Sequence, residues 1–113
     1  MIKEDYCSYE VAKLLKEKGF DTPCMGRYSV RSKEFHLDCT KMCNNGGLFE
    51  CAAPTHQMAM KWLRDEHNIK IMIRPYVDGT YSYEILNGFW YVNFDSYEDA
   101  VEAAIKYCLE NLI

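Results

Sequence analysis

IKIMIRPYVDGTYSYEILNGFWYVNF, residues 69–94, decides the fold. Ile69, Ile71 and Ile73 alternate with Lys70, Met72 and Arg74, followed by Asp78-Gly79, Tyr81/Tyr83/Ile85, Asn87-Gly88 and Trp90/Val92/Phe94. Period-2 alternation broken by Gly-containing turns reads as a three-stranded antiparallel meander. Register follows from which side chains must share a face. A two-residue Asp78-Gly79 turn would mix the apolar stripe with the polar one. A three-residue loop, Val77-Asp78-Gly79 with Gly79 in a left-handed bulge, pairs Ile73 with Tyr83 and Ile71 with Ile85, and is expected. At the second hairpin a two-residue Asn87-Gly88 turn matches Ile85 with Trp90 and Tyr83 with Val92. The expected core face is then Ile71, Ile73, Tyr81, Tyr83, Ile85, Trp90, Val92 and Phe94. Met72, Leu86, Phe89 and Tyr91 fall opposite, with Lys70, Arg74, Glu84 and Asn93.

Three amphipathic segments surround the meander. Before it, Thr55 is a good N-cap for a helix running to His67, with an apolar stripe at Met58, Ala59, Trp62 and Leu63. Asn68 is placed to close that helix in a left-handed turn. Near the N-terminus, Ser8 caps a helix whose buried stripe is Cys7, Val11, Leu14 and Leu15, while Lys13, Lys16 and Glu17 face water. Gly19 closes it, with Phe20 and Leu15 as the apolar pair of a Schellman motif. After the meander, Ser96 and Asp99 open a helix with Tyr97, Val101, Ala104, Ile105, Cys108 and Leu112 on one face.

Residues 24–53 show weaker patterning. Tyr28 and Val30, then Phe35 and Leu37, alternate with polar residues and suggest two short strands turning at Ser32-Lys33. Asn44-Asn45-Gly46-Gly47 is a turn signal, with another strand expected over Leu48–Ala52. The expected whole is a single α+β domain, 1–113, with antiparallel sheet covered by three helices mainly on one face.

The 113 residues carry 13 Lys and Arg against 17 Asp and Glu, a net charge of −4, so the chain lacks the footprint of a general nucleic-acid binder. Arg27, Arg31, Lys33 and Lys41 form a local basic cluster, read first as a solvated rim. No apolar run approaches the roughly 20 residues of a membrane span. The opening MIKEDYCSYE has no hydrophobic stretch and is not a signal peptide, which points to a reducing cytoplasm and to thiols rather than disulfides.

One constellation resembles a metal site: His36, Cys39, Cys43, Cys51 and His56, spaced H-x2-C-x3-C-x7-C-x4-H. Zinc takes four thiolate or imidazole ligands, and such residues a few positions apart on a turn supply half a tetrahedron. No C-x2-C knuckle is present, and Cys is a common small core residue, so buried thiols are the expected alternative. A Cys nucleophile would need a neighbouring His and an oxyanion hole, and no nucleophile elbow or phosphate-cradling glycine loop is present. No catalytic residue or cofactor is assigned. The feature that draws attention is the outer sheet face, with Met72, Arg74, Phe89 and Tyr91 as candidate partner-binding residues: apolar and aromatic groups beside Arg favour interfaces. Thin cover from residues 24–53 would leave this face to a two-fold homodimer or to another protein.

Three segments, CSYEVAKLLKEKGF (7–20), APTHQMAMKWLRDEHNI (53–69) and SYEDAVEAAIKYCLENLI (96–113), resemble a group of small uncharacterised proteins of phages, prophages and mobile elements of gut bacteria. The resemblance covers a little under half the chain and carries no catalytic residues across. It implies an intracellular, phage-associated protein of about this length; with no motif of an activity in the chain, the expected role is a non-enzymatic accessory protein in the cytoplasm of a bacterial host that binds a host or phage protein. The dense Cys run at 39–51 is not part of the resemblance. The alternative is a zinc-stabilised or nucleic-acid-associated domain using Arg27–Cys51.

Overall fold

Hydroxyl groups set where the helices start. In α1 (Tyr9–Glu17) the Ser8 side chain accepts from the Val11 N–H at 3.2 Å. In α2 (His56–His67) the Thr55 hydroxyl accepts from the Met58 N–H at 3.2 Å. In α3 (Tyr97–Asn111) Ser96 accepts from the Asp99 N–H at 3.0 Å. Each bond satisfies a first-turn donor that the helix leaves without a partner. The computed structural model describes every residue except Met1 and Asn87, and of Phe89 only the backbone.

The helix ends follow the same local logic. Gly19 sits at φ +93°, the Phe20 N–H donates to Leu15 O at 2.9 Å and the Gly19 N–H to Lys16 O at 3.2 Å, a Schellman close. Asn68 stands at φ +54° after α2, and the Ile69 N–H reaches back to Leu63 O.

The chain is α+β with antiparallel sheets, and it divides into two compact units, 1–59 and 60–113. In the first, β1 (Gly26–Ser29) is central, flanked by β2 (Phe35–Leu37) and β3 (Glu50–Ala52) in the order β2-β1-β3. Three strands stand near the expected places, but the first begins earlier and ends at Ser29, leaving Val30 in the turn, and the last is confined to 50–52, with Lys33 at φ +60° in the first turn and Asn45 at φ +66° in the loop before β3. α1 packs on β3, where Ala12, Cys51 and Ala53 form a buried cluster with Tyr28 against it. The segment before α1 is tied down as well: Cys7 N–H donates to Pro54 O and His56 N–H to Asp5 O, both at 2.9 Å. The Tyr28 hydroxyl donates to Cys7 O at 2.7 Å.

In the second unit β4 (Ile71–Pro75), β5 (Tyr81–Ile85) and β6 (Phe89–Phe94) form the meander in the order β4-β5-β6, with α3 packed mostly on β5. Ile71 pairs with Ile85 and Ile73 with Tyr83, the register expected from a three-residue loop. Gly79 has φ +88°, and its N–H donates to Tyr76 O at 3.1 Å. Asp78 accepts from both the N–H and the hydroxyl of Thr80, which holds its carboxyl below the usual range.

The second hairpin departs from expectation. Ile85 pairs with Phe89, Glu84 with Trp90 and Tyr83 with Tyr91, one residue off the register of a two-residue turn. Gly88, at φ +103°, donates to Ile85 O just as Gly79 does to Tyr76, the mark of a three-residue connection between Ile85 and Phe89; the expected turn falls in part on Asn87, which lies outside the described residues. One slip reverses every side chain. Trp90 and Val92, expected in the core, are 62% and 42% exposed. Tyr91, expected outside, lies on the α3 side, its ring 5.2 Å from Tyr83 and 5.6 Å from Tyr107. A bulge then lets Tyr81 pair with Phe94 and returns Phe94 to 5.6 Å from Tyr83, with Asn93 at φ +70° absorbing the extra residue.

Two helix stripes also shift. In α2 the buried residues are His56, Ala59, Met60, Trp62 and Leu63, while Met58 is exposed. In α3 Ala100 and Leu109 join Val101, Ala104, Ile105 and Cys108, and Tyr97 is turned partly to water.

Gly26 is the tightest backbone approach in the first unit. A Cβ there would stand 2.7 Å from Ala53 O and 2.9 Å from the Tyr6 ring. Gly26→Ala is expected to destabilise by about 1–3 kcal/mol, the usual range for overpacking. A urea midpoint equal to the parent's would show that β1 and β3 separate without cost.

Candidate functional site

The face of β4-β5-β6 turned away from α3 collects Met72, Arg74, Glu84, Trp90 and Val92 by strand alternation and register. Met72 and Trp90 flank Glu84, which pairs with each across its two neighbours. Arg74 Nη2 lies 3.3 Å from Glu84 Oε2, an exposed ion pair that fixes the guanidinium over the strands rather than contributing much stability. Arg74, Tyr76, Ser82, Glu84 and Trp90 line a depression of about 230 Å³. Beside it, Tyr76, Val77, Thr80, Val92 and Asn93 line a more open hollow of about 490 Å³, so Tyr76 borders both. The result is a surface of Met, Val, Tyr and Trp with one cation, Arg74, and two anions, Glu84 and Asp78, the composition of an interface centre.

Of the four residues expected to bind a partner, Met72 and Arg74 lie on this surface. Tyr91 does not: the register of β6 turns it to α3. The Phe89 side chain lies outside the described residues. Trp90, Val92 and Tyr76 take their place. Their signal in the sequence was a second Gly-terminated triplet, Leu86-Asn87-Gly88, matching Val77-Asp78-Gly79.

The metal-like constellation does not assemble. His36 and Cys39 are exposed, whereas Cys43, Cys51 and His56 are buried at 8%, 1% and 7% exposure. Among the described residues no three of these five bring ligand atoms together. Cys43 instead exchanges two backbone hydrogen bonds with Cys24, each 2.8 Å, and Cys51 sits in the cluster under α1. Burial pushes the Cys24 and Cys51 thiols up to about 11. Cys7 and His56 do stand together, with Sγ and an imidazole nitrogen within 4.8 Å. Cys7 is fully buried, so this pair has no access for a substrate.

The basic cluster is likewise spoken for at its centre. Arg27 faces Asp38 at 3.5 Å and Glu50 at 3.4 Å, and donates to Lys41 O at 3.1 Å. Lys33 lies over the Tyr9 ring, 5.5 Å from its centroid. Arg31 and Lys41 remain exposed. Lys16, expected to face water, donates to Gly47 O and Glu50 O at 2.6 and 2.8 Å.

Compared with known protein families, curated proteins and solved structures, the chain matches none. No helix among the described residues is long and apolar enough to cross a membrane.

The thiols give a direct check of this arrangement. At pH 7.5 a brief pulse of iodoacetamide is expected to modify Cys39 alone, since the other five are buried and the three shifted upward, Cys24, Cys51 and Cys108, stay protonated there. Peptide mass spectrometry reads it. Rapid labelling of Cys43 or Cys51 without denaturant would place them at the surface.

Proposed function

We propose that the protein is a non-enzymatic binding module that engages another protein through the Met72–Arg74–Tyr76–Trp90–Val92 face. The observation that carries this reading is Trp90. A tryptophan 62% exposed near the start of a strand, on one face with Met72 at 42% and Val92 at 42%, leaves large apolar groups in water. Burying such a side chain completely is worth roughly 1.5–3 kcal/mol, and covering the part each still exposes recovers a proportionate share. Trp, Tyr and Arg are also the side chains that dominate binding energy at protein interfaces. The resemblance to uncharacterised phage and prophage proteins supports an accessory role in the cytoplasm of a bacterial host, with a host or phage protein as the partner. A zinc-stabilised or nucleic-acid-associated role for Arg27–Cys51 is the weaker reading, because the thiols there are dispersed and Arg27 is neutralised by two carboxylates.

Affinity capture from host lysate separates these readings. The parent chain is expected to retain a defined protein that Trp90→Glu releases by at least about 30-fold, the scale of a 2 kcal/mol hot spot. Leu48→Glu, at a side chain 82% exposed in the other unit, is expected to leave capture intact. Capture indifferent to Trp90→Glu would remove the sheet face. One equivalent of zinc whose removal by EDTA lowers the melting temperature would restore the metal reading.

A further inference from the structure

The inner strands of both sheets are satisfied, so the edges remain to be considered. The sheet orders leave four: β2 and β3 in the first unit, β4 and β6 in the second. Natural edges are guarded by shortness, charge or proline against pairing with another chain. β2 and β3 are three residues each, bordered by Glu34 and Asp38 in one case and beginning with Glu50 in the other. β4 is bordered by Lys70, contains Arg74 and ends in Pro75, which has no N–H to offer. β6, Phe-Trp-Tyr-Val-Asn-Phe, has six residues with no charge, proline or glycine. Its central side chains are open: Trp90, Tyr91 and Val92 are 62%, 45% and 42% exposed.

Which backbone groups face outward follows from one hydrogen bond and the strand register. The Leu86 N–H donates to Lys70 O, on the β4 side, so by alternation Ile85 and Tyr83 turn their backbone groups toward β6. They meet Phe89 and Tyr91. Trp90 and Val92 therefore turn theirs to the open side. An antiparallel second copy must use the same two residues, and one arrangement satisfies all of their groups. It centres the two-fold on Tyr91, so that Trp90 of each chain faces Val92 of the other.

We propose that β6 pairs antiparallel with β6 of a second copy about a two-fold through Tyr91, joining two meanders into one six-stranded sheet. Four backbone hydrogen bonds form, between Trp90 and Val92 of opposite chains. The outer face gains two aromatic–β-branched pairs, Trp90 with Val92, a favourable cross-strand combination. On the α3 side the two Tyr91 rings meet in a non-hydrogen-bonded pair, where side chains are closest. No charge meets a like charge. The bulge at Asn93 twists the strand away and ends the pairing, which pins its register. This inference rests on the proposed use of the outer face, which the pairing makes continuous across two chains.

The test uses the full chain. Sedimentation from micromolar to hundreds of micromolar is expected to show a shift from 13.3 kDa toward twice that mass. Val92→Pro removes an outward N–H and no bond to β5; it is expected to weaken the dimer roughly 25-fold, two lost hydrogen bonds at about a factor of five each. In a Cys39→Ser background, Tyr91→Cys should cross-link on mild oxidation, since opposed residues of such a pair lie about 4.5 Å apart at Cα, within disulfide range. Trp90→Cys, two rungs from its symmetry mate, should not. A mass fixed near 13.3 kDa overturns the proposal. So does a dimer indifferent to Val92→Pro whose Tyr91→Cys variant fails to cross-link. If that monomer still loses a captured protein on Trp90→Glu, the outer-face reading stands and only the edge pairing falls.

Discussion

The pairing of Tyr83 with Tyr91 is the constraint on which the second unit turns. Strand side chains alternate with a period of two, so this one rung decides which aromatics meet α3 and which meet solvent. Tyr83 is almost fully buried, its ring in contact distance of Tyr91, Phe94 and Tyr107, and burial pushes its phenol well above the ordinary value. Tyr107 is shifted the same way, by desolvation first and also by its hydrogen bond with Tyr91. A strand continued without interruption from Tyr91 would turn Phe94 outward. The bulge at Asn93 inserts one residue and keeps both Tyr91 and Phe94 against Tyr83, at the expense of a left-handed Asn.

What could be read from the sequence is what local chemistry fixes. Ser8, Thr55, Ser96, Gly19 and Asn68 sit at helix ends because a cap is decided within four residues, and all five perform as expected. The first hairpin was legible for a related reason: its two candidate registers differed in whether apolar and polar stripes stayed separate. At the second hairpin the same criterion misled. Matching Trp90 and Val92 to Ile85 and Tyr83 gives a clean stripe through Phe94 only if no bulge follows, and nothing near Asn93 announces one.

Non-local bonds were beyond such reading. Asn45 donates to Phe20 O at 2.8 Å and accepts from the Ala52 N–H at 2.7 Å, so one side chain ties the end of α1 to β3. Lys16 does similar work from the helix, capping carbonyls of Gly47 and Glu50. Both lie in a polar context that looks like surface. The cysteine run shows the converse error. Close spacing in sequence suggested a shared site, but alternation and edge position send Cys51 under α1 while His36 stays on an exposed edge strand. Metal ligands must converge in space, and short strands separate neighbours as readily as they gather them.

These two kinds of failure bear differently on function. Misreading Lys16 or Asn45 changes the account of how the first unit holds together and leaves the candidate surface untouched. The one-residue slip moves the surface itself: it turns Tyr91 to the α3 side and puts Trp90 and Val92 on the outer face. A two-residue turn would have put Trp90, the largest side chain of the strand, on the α3 side with Phe94 and needed no bulge, so the chain uses a three-residue loop and a left-handed Asn where a plain hairpin was open to it. The loop turns the tryptophan out on an unguarded strand, and the bulge returns Phe94 to the packed tyrosine cluster that supports the strand from its other side. A rigid aromatic presented on a rigid strand loses little conformational entropy when it is covered. That separates this face from the more exposed Leu48 and Phe49, which lie outside regular structure between a Gly-rich turn and a three-residue strand.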